Sequence, residues 1–360
     1  MIYFAVDELR VPLLAHYLAK EWGCPIRDRM RQITYPELFR TRRLPRGAWV
    51  FTALEALTDA ELKIVQHMQN AARDAGLPVL NQAREALRRY ELLRLLHERG
   101  LNSFCVYRAD GPLDSIRFPV FVRVTEEHDG SLTPLLHNRG ELRRAMVYLR
   151  LRGLRRHQLL VVEFCDTVSA DGLYRKYSIF RIGDAYVARH LHIGRDWVTK
   201  HRSRVNDQHL LEEEMTYLRD NPHAAWARQV FEMAHTEYGR IDYGMYQGRP
   251  QTWEINFTPE LTGDPHHVDK TPEEQRIRQV TYPAKAYAHA GLRKAFIGID
   301  PGPIPGDDLH IDLPPVLEAE AREERSRVQS LVRSQERISR LAAAPVLRKL
   351  GPLLRQTLFR

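Results

Sequence analysis

The sequence predicts a mixed α/β (α+β) protein: a small N-terminal α/β domain, then α+β segments built around two hairpins, then a helical tail. Three observations lead there. Residues 1–81 alternate short apolar strands with amphipathic helices, the pattern of a parallel sheet with helical crossovers. Residues 174–194 and 239–256 each read as two strands joined at a Gly-containing turn. The 360 residues, 43% hydrophobic and 28% charged, form an ordinary globular chain of two or three domains.

The elements follow in order. IYFAV (2–6), AWVFTAL (48–54) and LPVLN (77–81) are strands. VPLLAHYLAKEWG (11–23) has helical apolar spacing and stops at Gly23. Thr58 is an N-cap with Glu61 three residues on, and Leu62, Val65 and Met68 give that helix its apolar face. Leu87, Leu92, Leu95 and Leu96 make a helical stripe ending at Gly100, after which SFCVYRA reads as a strand. FPVFVRV (118–124) is a strand, 141–153 a helix and HQLLVVEFCD (157–166) a strand. The hairpin 174–194 turns at Gly183-Asp184. Helices are expected at 210–222 and 223–239, the second closing at Gly239, and at 273–291 with a break near Pro283. IDPGPIPGDD (299–308) is a linker, followed by a mixed-charge helix (315–335) and a basic tail (337–360) without acids. The expected divisions are 1–82, 83–160, 161–298 and 299–360.

The formal charge of +8 suits an anionic partner. Three cysteines, far apart in the chain, point to reduced thiols and not to a disulfide framework. No apolar run approaches a membrane span. The start MIYFAVDELR lacks the pattern of a signal peptide, so a cytoplasmic protein is expected. Nothing resembles a base-reading module, so nucleic acid is not expected as a partner.

Chemistry concentrates in GRIDYGMYQGRPQTWEIN (239–256). Residues two apart on a strand share a face, so Arg240 pairs in direction with Asp242, and Glu254 with Asn256. For the two pairs to meet across the hairpin, the register needs an odd-length loop or a bulge at Gln247–Pro250, for which a three-residue loop with Gly248 left-handed is expected. Asp, Glu and Asn oxygens suit Mg²⁺.

On these residues the chain resembles the ATP-grasp superfamily, the carboxylate–amine ligases typified by D-alanine–D-alanine ligases. The likeness covers roughly 84–262, with 1–81 similar to the Rossmann-like domain that precedes the grasp. Those enzymes carry a GRxD strand, then an ExN strand near a proline, here Gly239-Arg240-Ile241-Asp242, Glu254-Ile255-Asn256 and Pro259. The resemblance implies two α+β lobes gripping ATP. It implies Mg²⁺ held by Asp242, Glu254 and Asn256, and Arg240 facing the transferred phosphate or the tetrahedral intermediate. FPVFVR resembles the strand whose basic residue touches the α/β-phosphates, which puts Arg123 there. Arg88 or Arg89 matches a second phosphate-side position. LLVVEFCD resembles the hinge, which implies Glu163 and the backbone of Phe164 and Cys165 at adenine, with Asp166 or Asp171 at the ribose.

The chain departs from the family in two respects. Both expected lysines are arginines, a wide fork in place of a compact charge. The glycine-rich loop is replaced by TEEHDGSLTP (125–134), in which Gly130 and Ser131 are left to approach phosphates among the acids Glu126, Glu127 and Asp129. In YVARHLHIGRDWVTKH (186–201), alternation puts Ala188, His190 and His192 on one face and Arg189 and Leu191 on the other. Arg189, Arg195 and Lys200 are read as anion-binding, with Arg189 and Lys200 beside Arg240 as candidate catalytic groups. The expected activity is ATP-dependent ligation of a small-molecule or peptide carboxylate to an amine through an acyl phosphate. A small-molecule kinase, or a nucleotide-binding protein without turnover, are the alternatives on the same fold. The tail 337–360 is read as an appendage packed on the core or on a second subunit, as in a homodimer, with contact to an anionic membrane surface or nucleic acid as the alternative.

Overall fold

The computed structural model describes residues 1–125, 130–199, 208–262 and 271–342. In chain order β1 is Ile2–Val6, α1 Val11–Ala19, β2 Met30–Thr34, α2 Tyr35–Thr41, β3 Arg43–Leu44, β4 Ala48–Phe51, α3 Asp59–Asp74, β5 Val79–Leu80 and α4 Arg89–Glu98. There follow β6 Val106–Arg108, β7 Val120–Val124, α5 Arg139–Leu151, β8 Leu159–Glu163, β9 Tyr174–Ile182, β10 Ala185–Gly194, α6 Gln208–Asp220 and α7 Ala224–Met233. The last are β11 Tyr238–Tyr246, β12 Arg249–Asn256, α8 Pro272–Val280, α9 Tyr282–Ile299, β13 Leu309–His310 and α10 Pro315–Ala342. None of the helices among the described residues is long and apolar enough to cross a membrane.

The chain divides into two compact units. The first joins Met1–Leu87 to Thr167–Glu318, and the second holds Arg88–Asp166 and the described residues from Ala319 onward. Segments 1–82 and 161–298 thus lie mostly in one unit, because their apolar faces share a core: Ile2 and Phe4 of β1 are buried with Phe180, Tyr238, Leu292 and Phe296.

In the first unit the N-terminal sheet has the order β2-β1-β4-β5 and is parallel throughout, as the strand–helix alternation requires. The α3 capping box forms: Thr58 Oγ1 accepts from Glu61 N while Glu61 accepts from Thr58 N. Strand β2 and helix α2 were not foreseen. β2 has a single fully buried residue, Met30, so no apolar alternation marks it. Helix α7 stops at Met233, short of the expected end, because His235 takes a left-handed φ of 50°. Gly239 instead lies inside β11, where a Cβ would come 2.9 Å from the Asn256 carbonyl oxygen.

The second sheet of this unit is antiparallel, β10-β9-β11-β12. Helices α6 and α7 cover one face, where Tyr217 Oη donates to the Ser178 carbonyl at 2.9 Å and Trp226 packs on Tyr243 with ring centroids 4.6 Å apart. Part of the other face lies against α9, so closely that a Cβ on Gly291 would meet Val187 at 2.8 Å. Asn81 fixes the start of β11. Its Oδ1 accepts from the N–H groups of Glu237 and Tyr238, and its amide donates to the carbonyls of Phe51 and Tyr238.

The second unit carries the antiparallel sheet β6-β8-β7. Val120, Val122, Leu159 and Val161 from the sheet are buried with Leu142, Ala145 and Leu149 of α5.

Candidate active site

The hairpin β11–β12 sets the site. Arg240 pairs with Asn256 and Asp242 with Glu254. The parity that this register needs comes from a bulge and not from the loop. Trp253 is the extra residue, since Tyr243 pairs with Thr252, and the turn is the two-residue loop Gln247-Gly248 with φ of 49° and 75°. Both φ values are positive, as a type I′ hairpin requires. The three-residue loop expected from sequence is therefore replaced by a tight turn plus a bulge one strand-length away.

Directly paired residues present their side chains to the same face. On the neighbouring strand, Asp242 pairs with Ser178 and Arg240 with Phe180. On β10, His190 pairs with Ser178 and His192 with Lys176. A row His190–Ser178–Asp242–Glu254 thus crosses four strands, flanked on the same face by Lys176, Arg240, Asn256 and His192. The expected alternation on β10 fails at one point: the register shifts between Ala188 and His190, so Arg189 is a bulged residue and Ala188 lies on the face opposite His190.

The electrostatics of this face are closely coupled. Asp242 is 1% exposed; the Arg240 fork reaches it at 2.8 and 3.1 Å, and Lys176 Nζ at 2.7 Å. Burial works against the Arg240 charge, but Asp242, Glu254 and Glu260 outweigh it and hold the guanidinium above its ordinary value. Asn256 donates to Glu254 Oε1 at 3.3 Å, and its own Oδ1 is buried without a hydrogen-bond partner among the described residues, as is Ser178 Oγ. His190 and His192 stack at 3.9 Å, 7° from parallel. Burial, then the neighbouring His192, Arg240, Arg189 and Lys176, keep His190 neutral, well below the usual imidazole range. Lys176 is a functional candidate that the sequence reading missed: its proximity to Asp242 depends on the pairing of β9 with β11, across more than sixty residues of chain.

Arg189 is buried on the first unit. Its Nη2 donates to the Leu261 carbonyl at 2.8 Å and lies 3.3 Å from His289 Nε2, while its Nε has no partner among the described residues. Burial, reinforced by Arg240, lowers it to about 10. Asp171, also in this unit, is held by a two-pronged contact from Arg175 at 3.0 and 2.8 Å. Lys200 lies outside the described residues.

The second unit carries the remaining expected residues. Arg89 opens α4, buried, with Nη1 donating to the carbonyls of Val124 and Thr125 at 3.4 and 2.5 Å. Arg123 sits buried on β7 opposite Leu160. Glu163 is 3% exposed, and its oxygens accept from Cys105 N, Tyr107 Oη, Arg117 N and the Arg117 guanidinium, the shortest at 2.6 Å. Burial raises the Glu163 carboxyl, but these donors more than reverse it and hold it below its ordinary value. Phe164 N donates to the Pro119 carbonyl, and the half-buried Cys165 thiol, raised by burial, lies 3.3 Å from Ser103 Oγ. Asp166 closes this segment of the unit. Ser131 donates to the Thr133 and Val122 carbonyls, which ties residues 131–133 back onto β7, and residues 126–129 lie outside the described residues.

Three solved structures are similar to this chain at low identity. A D-alanine–D-alanine ligase from Bacillus anthracis is 12% identical, with 82% of this chain and 99% of that chain covered at a TM-score of 0.42. An L-amino acid ligase from Bacillus licheniformis is 11% identical, covering 82% of this chain and 73% of that one at a TM-score of 0.43. A RimK domain ATP-grasp protein from Sphaerobacter thermophilus is 14% identical, covering 84% and 99% at a TM-score of 0.44. No family model matches the sequence, and no curated protein matches it. At such identities the chemistry has to be argued from this chain's own residues.

The donor set fits a hard divalent cation. It consists of oxygen atoms alone, and one of them, Asn256 Oδ1, is buried beside the Glu254 carboxylate without a partner among the described residues. Among the described residues no cluster of three His, Cys, Asp or Glu side chains offers a rival metal site.

Proposed function

We propose that this chain is an ATP-dependent ligase that joins a carboxylate to an amine through an acyl-phosphate intermediate. The observation that carries the reading is the paired register of Arg240, Asp242, Glu254 and Asn256 on one buried sheet face, with Lys176 drawn in by Asp242. The ATP-grasp pattern of the sequence supports it, and the names of the similar structures point the same way.

Asp242, Glu254 and Asn256 would hold Mg²⁺, which when bound supplies charge neutralisation at phosphate oxygens. The chain's own residues do the rest. Arg240 and Lys176 are the cations placed to stabilise charge on the transferred phosphoryl group and then on the tetrahedral oxyanion. Asp242 fixes the Arg240 fork in one orientation by its two contacts. On the second unit, Arg89 and Arg123 are assigned to the nucleotide phosphates and the 164–165 backbone to the base. Glu163 shapes that segment through Arg117. In the first step the substrate carboxylate oxygen attacks the γ-phosphorus and the bond to ADP breaks. In the second the amine nitrogen attacks the acyl carbon, inorganic phosphate leaves and the nitrogen loses a proton.

The test is a screen of carboxylic acids with ATP and hydroxylamine as the trapping nucleophile. Acyl hydroxamate together with ADP and phosphate is the expected product, and Glu254→Ala is expected to abolish it. A phosphorylated acceptor in place of phosphate and hydroxamate would overturn the ligase reading in favour of a kinase, and ADP formation untouched by Glu254→Ala would remove the site assignment.

A further inference from the structure

Helix α5 and the turn after it carry a charge that the proposed reaction does not use. Residues 139–158 hold seven arginines and a single acid, Glu141, in a chain whose formal charge is +8. All seven arginines are exposed. Glu141 is engaged at the start of the helix, where it accepts from His137 N at 2.7 Å and from Asn138 Nδ2 at 2.6 Å. Arg139 lies 4.0 Å from Asp114, a side chain almost wholly in solvent. Arg143, Arg150, Arg152, Arg155 and Arg156 make no ion pair with a carboxylate among the described residues. Helix energetics do not account for such a run. Arg139 sits in the first turn, where the helix dipole disfavours a cation. Arg143 follows it by four residues, a like-charge pair on one side of the helix. Both features destabilise α5 unless an anion from outside offsets them.

The charges also have a fixed arrangement. Leu142, Ala145 and Leu149 bury one side of α5 in the core of the second unit, so the opposite side faces out. Successive residues of a helix turn by roughly 100°, which sets Val147 at the middle of the outward side and Leu151 one turn further on. By the same rotation Arg143 and Arg150 run along one flank and Arg144 along the other. Val147 is 59% exposed and Leu151 57%. An apolar centre between cationic flanks suits a lipid interface. The arginine forks meet headgroup phosphates, and the apolar pair enters the layer beneath them.

Two other anionic partners fit less well. A nucleic acid would set Val147 and Leu151, which make no hydrogen bonds through their side chains, against phosphates and base edges. An acidic protein would need an apolar core within an interface of about 800 Å² per partner, and two side chains do not supply one. We infer that the outer face of α5 is a docking surface for an anionic phospholipid bilayer. The attachment is peripheral and reversible, held by charge and two apolar side chains. The inference is independent of the ligase reading, because none of these residues is assigned to nucleotide, metal or substrate.

The test is co-sedimentation of the full-length protein with vesicles of phosphatidylcholine, alone or mixed with phosphatidylglycerol, at low and at raised salt. Binding is expected to the mixed vesicles only, and it should weaken as salt screens the charge. Each arginine near an anionic surface is worth about fivefold in affinity, so Arg143→Gln with Arg150→Gln should weaken binding about twenty-fold. Val147→Ser with Leu151→Ser leaves the charge unchanged and should weaken binding on the order of tenfold. Arg99→Gln with Arg219→Gln removes two exposed charges elsewhere and should bind like wild type. Circular dichroism melts confirm that each variant folds; should one α5 pair not fold, the other decides. The inference is overturned if the mixed vesicles are not bound or if phosphatidylcholine alone binds equally well. It is overturned as well if either α5 pair binds like wild type, or if the control pair weakens binding as much as the α5 arginine pair. A DNA duplex that binds through Arg143 and Arg150 and displaces the vesicles would overturn it in favour of nucleic acid.

Discussion

Asp242→Asn distinguishes two pictures of the catalytic face by the sign of its effect on stability. If Asp242 and Glu254 were simply two carboxylates paired across a hairpin, about 5 Å apart, neutralising one would relieve repulsion and stabilise the fold. The structure places Arg240 at 2.8 and 3.1 Å and Lys176 at 2.7 Å from an Asp242 side chain that is 1% exposed. Removing one partner of a buried ion pair costs about 3–5 kcal/mol. Lys176 keeps a 24% exposed side chain, so water screens part of its loss, and relief at Glu254 offsets some more. The net expectation is a destabilisation of about 3 kcal/mol, or a fall in Tm on the order of 5 °C for a chain of this size. Urea denaturation of wild type and Asp242→Asn, followed by far-UV circular dichroism in metal-free buffer, measures it. A midpoint that is unchanged or higher refutes the idea that Asp242 organises the two cations.

Three other outcomes follow from the same reasoning. Lys176→Gln should leave the fold intact and reduce hydroxamate formation at least tenfold, because it removes a cation from the reacting face; unimpaired turnover would return Lys176 to a purely structural pairing. Glu163→Gln should destabilise the protein at neutral pH by about 2–3 kcal/mol, since a buried carboxylate is lost from the Arg117 fork. The Glu163 carboxyl is held below its ordinary value when folded, so its contribution is present above the carboxylate range and disappears as pH falls through the folded value. Wild type and variant should then converge in stability in acid, and a gap that stays constant with pH would contradict the ion-pair account. Gly239→Ala drives a Cβ to 2.9 Å from the Asn256 carbonyl, a backbone atom that cannot yield without parting β11 from β12. A loss of about 1–3 kcal/mol together with loss of turnover is expected, and a silent substitution would show that the hairpin is not as tight as drawn.

The composition of the site was more legible than its wiring. GRID and EIN lie in single strands, so period-two alternation put Arg240 with Asp242 and Glu254 with Asn256, while the meeting of the two pairs depended on the register that the structure supplies. Parity could not say where the odd residue goes. The turn needed only Gln247-Gly248, and the bulge fell on Trp253. Glu163 was legible as an acid at the end of an apolar strand, but its engagement with Arg117 depends on a chain separation of 46 residues. Lys176 was overlooked for the same kind of reason. Its neighbours on β9 say nothing about β11, and only the strand order β10-β9-β11-β12 puts it beside Asp242.

The bulge at Arg189 has the largest consequence for the chemistry. Ala188 pairs with Ile179, so in a regular strand the next residue would oppose Ser178 and Arg189 would take the row that contains Asp242. Asp242 would then face three cations, and its hold on the Arg240 fork would be shared. Because Arg189 is bulged out of register, His190 takes that position instead. The row gains a neutral ring in place of a charge, and the guanidinium is sent to the Leu261 carbonyl and His289. The two arginines therefore end with opposite electrostatics. Carboxylates raise Arg240 above its ordinary value, whereas burial lowers Arg189 to about 10. The bulge therefore decides which arginine the Asp242 carboxylate holds and which is left buried against neutral partners.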